Sequence, residues 1–466
     1  MSHVTFASRI VSGACGALIV GTAAFAQTPA PAPAPPAQSP LGIPLTATIT
    51  TPGYPAPGPA DPKLRVLETP AGKKIHVLPA TLETTQWGWF DNSQPPVLRV
   101  HSGDTIILET MMHSHNQVVP GATIEQIKKL RTDFPGRGPH TLTGPIYIEE
   151  AQPGDVLKVR LNRIIPRAYA ANFNVPGMFG EFPNVFQDGQ VKYLFLDLDS
   201  MKTEFLPGIV LPIRPSPGIL GVARKEPGRY SSVPPGEYAG NMDIRDFVTG
   251  TTLYVPVFVP GALLWTGDSH AGQGNGEVNL TAIETAYKEF NITVEVVKGK
   301  PLDFPRIETA KSWITMGFDQ DMNKAWAQAK AQTIKFLSEQ RGVSAEQAEK
   351  LMANVSDCRV SQVVNIKKGI HCLNPKNTRD KEDMERPTKE TSKYLVSHAK
   401  DVDLNKAMND ASMGMINQLA TDKKLTRLDA YGLASVAMDC RVGAISDTEK
   451  NVHCIMPKSI WVAGGH

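Results

Sequence analysis

The sequence predicts a mainly β protein, with a sandwich-like or barrel-like core, followed by C-terminal α+β units of which the last is duplicated. Three observations support this prediction. Short β-branched runs, separated by Gly and Pro, fill residues 41–305. A helix-forming composition replaces them near residue 319. The segment that follows then recurs, without a gap, 82 positions later in the chain.

The β-rich core, residues 41–305, contains many short runs that alternate or are rich in β-branched residues, such as 105–108 and 292–296. Gly and Pro separate these runs, as in Ser102-Gly103-Asp104. Many short strands joined by such turns favour a sandwich or barrel over alternating strands and helices. No Gly-x-Gly-x-x-Gly motif follows a strand and opens a helix, so dinucleotide binding is not predicted.

Residues 306–376 form the first α+β unit. Residues 321–340 are rich in Ala, Lys and Gln and lack Gly and Pro, which predicts a helix. Ser344 and Gln347 fit a capping box at the start of a second helix. Apolar and β-branched residues on either side of a Lys-Lys-Gly turn at 367–369 then predict a hairpin.

Residues 399–466 form the second unit, which repeats the first. Asp357-Cys358-Arg359-Val360 recurs as Asp439-Cys440-Arg441-Val442, and His371-Cys372 recurs as His453-Cys454. Thr426 likewise repeats the capping position of Ser344. So many polar identities at one offset indicate a tandem duplication. The charged segment 377–398 between the units is predicted to be a linker.

The N-terminus has the pattern of an exported protein. Residues 1–26 resemble a secretory signal peptide, with Ala24-Phe25-Ala26 before Gln27 as the cleavage pattern. Residues 27–40, largely Pro and Ala, predict an extended tether. We therefore expect a periplasmic or secreted protein.

Cysteine usage agrees with export. Removal of the signal peptide removes Cys15 and leaves Cys358, Cys372, Cys440 and Cys454. An even number of cysteines in an exported chain favours disulfides, and the simplest pairing joins the two cysteines that flank each hairpin. Four cysteines allow three connectivities. A zinc site built from cysteine with His371 or His453 is the alternative, although no C-x-x-C spacing is present.

Charge and hydropathy exclude two classes of partner. The formal net charge is only +2, and acidic and basic residues are interspersed. A nucleic-acid partner is not predicted, because such binding requires a basic stripe or patch. No segment after the signal peptide is long and apolar enough to cross a bilayer, so we expect no membrane span in the mature form.

The strongest chemical signal lies between residues 236 and 284. Asp268 and His270 are two positions apart, so on a strand both side chains project from the same face. A carboxylate and an imidazole placed together are suitable ligands for a divalent metal. The glycines that follow allow the backbone to turn and bring Glu277 back toward them.

Three alternatives remain for these motifs. Asp268 and His270 could form a hydrogen-bonded pair within a tight turn. Ser269 lies in a segment that resembles a nucleophile elbow, but such an elbow requires a helix immediately afterwards. His113 and His115, which follow Glu109, form another candidate metal site with strand spacing.

These residues resemble the signature of the acetamidase/formamidase family. The motifs that carry the resemblance are Asn241-x-Asp243, Gly267-Asp268-x-His270 and Gln273-Gly274-x-Gly276-Glu277, with further matches at Gly144-Pro145-Ile146, Ala151-Gln152-Pro153-Gly154-Asp155 and residues 87–103. The resemblance runs from His76 to Lys376. It implies a β-rich fold and the hydrolysis of small aliphatic amides, such as formamide or acetamide, to the acid and ammonia.

The sequence departs from the family pattern in several places. Asn275 stands where the family usually has Asp, and Met111-Met112-His113 follows Glu109 where a Leu-Asp-like pair is common. The second unit, the signal peptide and the tether are additional. We expect the second unit to be a stabilising or assembly element without a catalytic residue of its own.

Amide hydrolysis requires a polarised carbonyl and a protonated leaving nitrogen. We expect Asp243, Asp268 and His270 to hold a divalent metal, most simply zinc, which polarises the carbonyl and activates water. Glu277 is the expected proton shuttle, with Glu109 or Glu284 as substitutes.

Partners follow from the same interpretation. Asn241 and Gln273, which belong to the same family motifs, are expected to bind the small amide substrate. We further expect a homo-oligomer. The competing hypothesis is an exported, non-catalytic binding protein on the same fold, and Asn275 is the feature that favours it.

Overall fold

The computed structural model of the chain describes residues 66–377 and 387–462. The predicted signal peptide (1–26) and tether (27–40) lie outside the described residues, as do residues 41–65 of the predicted core and 378–386 of the predicted linker. Within the described ranges, no helix has the length and apolar composition that a bilayer crossing requires.

The described chain is mainly β. Its strands, in chain order, are β1 Val66–Glu68, β2 Lys74–Leu78, β3 Thr85–Trp87, β4 Trp89–Asp91, β5 Leu98–Val100, β6 Thr105–Leu108, β7 Thr141–Ile148, β8 Val156–Pro166, β9 Tyr169–Asn174, β10 Gln190–Asp197, β11 Lys202–Leu206, β12 Ile209–Pro212, β13 Ser216–Val222, β14 Arg229–Ser231, β15 Ala239–Asn241, β16 Thr252–Pro256, β17 Leu264–Gly272, β18 Ile283–Thr285, β19 Tyr287–Val297, β20 Arg306–Glu308, β21 Ser312–Asp319, β22 Asp357–Gln362, β23 Lys368–Pro375, β24 Tyr394–Asp401, β25 Asp439–Ile445 and β26 Lys450–Pro457. The helices are α1 His113–Asn116, α2 Ile124–Thr132, α3 Met322–Arg341, α4 Ala345–Val355, α5 Leu404–Asp422 and α6 Arg427–Ala437.

Two large sheets organise these elements, which confirms the predicted fold class. A 13-stranded sheet has the order β1-β2-β6-β19-β8-β16-β20-β21-β23-β22-β25-β26-β24. An 11-stranded sheet has the order β12-β11-β10-β9-β18-β17-β13-β15, with β7, β3 and β5 attached through β17. The 13-stranded sheet continues across the predicted boundary between the core and the first unit, residues 305 and 306, because β20 pairs with both β16 and β21. The core and both units therefore share one sheet.

The two units have the same order of elements, strand–helix–helix–strand–strand. Helices α3 and α4 correspond to α5 and α6, and the predicted capping box of Ser344 with Gln347 is present at α4. The first strand of the second unit, β24, begins at Tyr394, inside the segment 377–398 that was predicted as linker. This strand was not predicted because it is a half-exposed edge strand, and its sequence mixes polar residues with apolar ones.

A pseudo-twofold arrangement joins the units. Strands β22 and β25 pair antiparallel through Arg359 and Arg441 at the centre of the combined six-stranded segment of the sheet. Asp321 and Asp403, which cap the N-termini of α3 and α5, each also accept a hydrogen bond from the other unit. The side chain of Asn405 donates to Asp321 at 2.7 Å, and that of Asn323 donates to Asp403 at 2.8 Å.

The structure contains the disulfide pairing that the sequence favoured, Cys358–Cys372 and Cys440–Cys454. Each disulfide joins directly opposed residues of neighbouring strands, β22 with β23 and β25 with β26. The alternative zinc site at Cys with His371 is not formed. The His371 imidazole instead shares a hydrogen bond with the Ser361 hydroxyl at 2.8 Å.

We predict that the Cys440→Ser/Cys454→Ser variant loses about 3 kcal/mol of unfolding free energy in denaturant titrations, because the disulfide closes a short loop in the unfolded chain. The matched variant in the first unit, Cys358→Ser/Cys372→Ser, closes a loop of the same sequence separation and should lose a similar amount. Mass mapping of non-reduced peptides checks the pairing, and a bridge between the two units would contradict it.

Candidate active site

Strand β17 carries the predicted Asp268 and His270 and is buried along its whole length. It lies between β13 on one edge and β18 and β7 on the other. Because hydrogen-bonded strands flank it, its side chains can be held in fixed positions within the protein. Both predicted residues do lie together, with the His270 Nε2 3.5 Å from Asp268 Oδ1.

Seven buried side chains from separate parts of the chain meet beside β17. We call this set the central cluster: His113, His140, Asp243, Asp268, His270, Glu277 and Glu284. The His113 Nε2 lies 3.0 Å from Asp268 Oδ1 and 3.2 Å from Glu284 Oε2. Four carboxylates so close together repel one another, so the arrangement requires positive charge or protonation within it.

Three carboxylates of the cluster lie on unusual backbone. Asp243, Asp268 and Glu277 have φ values of 50°, 51° and 49°, in the left-handed region. Such conformations are uncommon for residues other than glycine, and they concentrate at binding and catalytic sites, where the surrounding structure enforces them. This strain supports a functional interpretation of the cluster over a simple hydrogen-bonded turn.

Several polar atoms of the cluster point at one another without a hydrogen bond. Among the described residues, no hydrogen-bond partner exists for Asp243 Oδ1, His270 Nε2 or Glu277 Oε2, all of which are buried. Unsatisfied buried groups are costly and require an explanation. Carboxylate oxygens and imidazole nitrogens are the atom types that ligate zinc. Asp243, Asp268 and His270 each offer one such atom, and these three atoms lie within 4.8 Å of one another.

Gly218 on β13 leaves the space that these groups occupy. A Cβ atom at this position would lie 2.4 Å from Asp268 Oδ2, 2.6 Å from Asp243 Oδ1 and 2.7 Å from the His270 ring. Any side chain here would therefore displace the cluster. The donor set and the available space both fit a bound divalent metal.

The carboxylates differ in their proton affinity. Burial and the negative charge of Asp268 raise the pKa of Asp243 well above its ordinary value. Burial and repulsion from Asp243 likewise raise the pKa of Glu277. Burial would also raise the pKa of Asp268, but the imidazoles of His140 and His270 hold it well below its ordinary value. The cluster therefore contains one strongly acidic carboxyl group beside two that retain protons more readily.

The imidazoles differ in the same way. Burial opposes charge on His270 and His113, but the carboxylates of Glu284 and Asp268 raise the pKa of His270 to about 10 and that of His113 to about 9. For His140, burial lowers the pKa to about 3. Its Nδ1 shares a hydrogen bond with the Ser232 hydroxyl at 2.8 Å.

The structure brings most of the predicted residues together. Asp243, Asp268, His270, Glu277 and Glu284 all belong to the central cluster. Asn241 lines the cavity that opens onto this cluster and is described below, and its amide nitrogen donates to the Val233 carbonyl at 2.9 Å.

Two predicted residues lie elsewhere. The Glu109 carboxylate is outside the cluster. Glu109 directly follows β6, and its carboxylate lies 3.5 Å from the Arg167 guanidinium and accepts a hydrogen bond from the Ala80 amide. Gln273 does not line the cavity. It orients His270 and Asp243 instead, since its Oε1 lies 3.0 Å from His270 Nδ1 and its amide nitrogen donates to the Asp243 carbonyl at 2.9 Å.

Two residues of the site were missed. His140 precedes β7, and Asn365 follows β22, so neither shares a local motif with β17. The Asn365 amide donates to Asp243 Oδ2. His113 was identified only as an alternative metal ligand together with His115, and the structure separates the two. The His115 Nε2 lies 3.2 Å from the Thr85 hydroxyl.

The backbone around Ser269 does not form the nucleophile elbow that the serine alternative requires. Ser269 lies within β17, between the two residues that face the cluster, and its hydroxyl is 2.7 Å from that of Thr110. No helix follows this strand, since β18 comes next in the chain. A nucleophile elbow is therefore absent at this position.

A cavity of ≈210 Å³ opens onto the cluster. Its floor is polar and includes Asp243, Asp268 and Glu277. Its remaining walls combine apolar side chains with two arginines, and they include Arg131, Arg137, Phe173, Phe179, Leu280, Val364 and Ile366. Such a cavity accommodates a small molecule with a polar end directed at the cluster.

Comparison with known proteins identifies the family of the chain. The model of the acetamidase/formamidase family matches residues 82–229 and 228–376, more than half of the chain. The chain is 27% identical over 221 residues to an acetamidase of Mycolicibacterium smegmatis, a match that covers 34% of the chain and 54% of the relative. It is 22% identical over 346 residues to a formamidase of Methylophilus methylotrophus, covering 58% of the chain and 84% of that protein.

A solved structure shows the same architecture. The crystal structure of an acetamidase from Bacillus halodurans superimposes with a TM-score of 0.59 at 28% sequence identity, covering 64% of this chain and 97% of that one. The chain thus spans only about half of the Mycolicibacterium relative that it matches but nearly all of this structure.

Proposed function

The chain belongs to the acetamidase/formamidase family, and from this membership we propose that it hydrolyses a small aliphatic amide to a carboxylate and ammonia. The observation that carries the proposal is the central cluster itself. It presents unsatisfied carboxylate and imidazole groups to a cavity that admits only a small substrate. Formamide and acetamide are substrates of suitable size.

Asp243, Asp268 and His270 are the proposed ligands of a divalent metal. Zinc is the preferred assignment, because imidazole and carboxylate ligands are typical of catalytic zinc sites. When bound, such a metal supplies Lewis acidity toward the amide carbonyl and toward water. Gln273 and Asn365 hold the ligands in place, since they hydrogen-bond to His270 and to Asp243.

Glu277 is the proposed proton shuttle. It lines the cavity, one of its oxygens is free of hydrogen bonds among the described residues, and its pKa is raised by burial and by Asp243. A carboxyl group of this kind takes a proton from water and returns it to the leaving nitrogen.

Glu284 is less suited to proton transfer. Its Oε1 accepts a hydrogen bond from the Ala282 amide at 2.8 Å, and its Oε2 lies 3.2 Å from His113. These contacts hold the carboxylate in one orientation. We therefore assign Glu284 the role of positioning His113 and balancing charge.

The remaining assignments complete the proposal. Export to the periplasm or medium is supported by the two disulfides, which persist in oxidising compartments. The homo-oligomer stays a prediction. The alternative of a non-catalytic binding protein receives no support from the cluster, which contains every side chain that the proposed reaction requires.

The direct test is ammonia release from a small panel of amides, including formamide and acetamide. We expect release to stop when the purified protein is treated with a chelator and to return when zinc is added. Full activity in protein shown to be metal-free would contradict the metal mechanism.

The Glu277→Gln variant tests the proton shuttle. Glutamine keeps the shape of the side chain but cannot transfer the proton, so kcat should fall by about 10²- to 10⁴-fold while the metal content stays unchanged. Metal content is measured by elemental analysis. Glu295→Gln serves as the control, since Glu295 is a partly exposed strand residue that pairs with Lys158. Loss of metal from Glu277→Gln would identify Glu277 as a ligand instead.

A further inference from the structure

We propose that the second unit supports the active site directly. A buried contact between Asn275 and Asp439 lets it position the loop that contains Glu277. This inference rests on the proposed function. The loop, residues 273–282, connects β17 to β18 and contributes Glu277, Leu280 and Thr281 to the cavity. Of the residues of the second unit that the structure describes, 399–462, none lines the cavity itself.

The loop is held between the two units. From the first unit, the Ser361 carbonyl accepts a hydrogen bond from the Gly276 amide at 3.1 Å, and the Val363 amide donates to the Gly276 carbonyl at 3.1 Å. From the second unit, the Cys440 amide donates to the Asn275 carbonyl at 3.1 Å. Main-chain bonds from both units therefore flank the residue that precedes Glu277.

Helix α6 of the second unit adds main-chain and side-chain contacts to the loop. The Ser435 carbonyl accepts from the Gly274 amide at 3.0 Å, and its hydroxyl accepts from the Asn279 amide at 3.2 Å. The Tyr431 hydroxyl donates to the Val278 carbonyl at 2.7 Å. These bonds satisfy loop groups that would otherwise be buried without partners.

Asn275 and Asp439 form the central contact. Both residues are buried, and the Asn275 amide nitrogen donates to Asp439 Oδ1 at 2.6 Å. Burial would raise the pKa of Asp439, but Arg245 and Arg441 hold it below its ordinary value, so the acceptor is a charged carboxylate. A carboxylate at position 275 would face this charge directly. An amide at this position is therefore compatible with the second unit, and an acid is not.

The two units differ where the second one meets the loop. Position 435 is Ser in α6, whereas the corresponding position of α4 is Ala353; likewise Tyr431 corresponds to Glu349. Ala353 and Glu349 are exposed, but Ser435 and Tyr431 are buried. The second helix of one copy thus carries side chains that contact the loop, and the second helix of the other copy does not. A unit that only added stability would not require this difference at the loop.

A negative charge added at the contact tests the proposal. In Asn275→Asp, two buried carboxylates would face each other and displace the loop, so kcat should fall about tenfold or more, with a smaller change in KM. The swap Asn275→Asp/Asp439→Asn restores one amide and one carboxylate, and it should bring kcat to within about threefold of the unmodified protein. Asn417→Asp is the control, because it makes the same chemical change at an exposed position of α5.

Two results would overturn the proposal. One is an Asn275→Asp variant with unchanged kcat. The other is a swap variant whose kcat falls by the product of the fold-decreases measured for Asn275→Asp and Asp439→Asn alone. The effects of two substitutions multiply in this way when the two sites act independently. Should Asn275→Asp fail to fold, Ser435→Ala provides the second variant. It removes only a hydroxyl, and it should lower kcat at unchanged metal content; an unchanged kcat would again contradict the proposal.

A second readout separates this inference from the proposed function. Hydrogen exchange of residues 273–282 does not depend on turnover. Asn275→Asp should increase exchange in the loop, and the swap should reverse this change. If the unmodified protein releases no ammonia from amides, the proposed function fails, and the exchange measurement still decides whether the second unit positions the loop.

Discussion

The structure depends on burying four carboxylates and three imidazoles within a few ångströms of one another. Isolated buried charges are costly, and like charges at this distance raise each other's pKa. The cluster is therefore tolerable only if imidazoles, protons or a cation compensate the carboxylates, and only if the backbone is fixed firmly enough to prevent relaxation. The left-handed φ values of Asp243, Asp268 and Glu277 show that the surrounding structure enforces this arrangement.

The fold provides that rigidity through sheet structure and through tightly packed small residues. Strand β17 has hydrogen-bonded neighbours on both edges, and Gly218 on β13 leaves the space that the cluster fills. The 13-stranded sheet continues from the core into both units. The loop that carries Glu277 pairs with two strands of this sheet, through Gly276 with Gln362 of β22 and through Asn275 with Asp439 of β25. The second unit is thus continuous with the structure that supports the site.

Local spacing was enough to predict part of the site and the architecture. The alternation of a strand placed Asp268 and His270 on one face, and the glycines that follow indicated the return of Glu277. The duplication and the disulfide pairing could be predicted because each unit repeats a complete hairpin. His140 and Asn365 could not be found in this way, because they reach the cluster from distant elements and belong to no local motif. Glu109 and Gln273 do not line the cavity. Spacing could not show this, because it identifies neighbours in sequence but not the direction in which a side chain points.

The central claim is that Asp243, Asp268 and His270 hold a catalytic metal. The most direct measurement is anomalous X-ray diffraction from zinc-loaded crystals, recorded above and below the zinc absorption edge. The account predicts an anomalous peak about 2.0–2.2 Å from His270 Nε2 and from carboxylate oxygens of Asp243 and Asp268. Zinc-loaded crystals with no peak in the central cluster, or with a peak only elsewhere in the molecule, would contradict it.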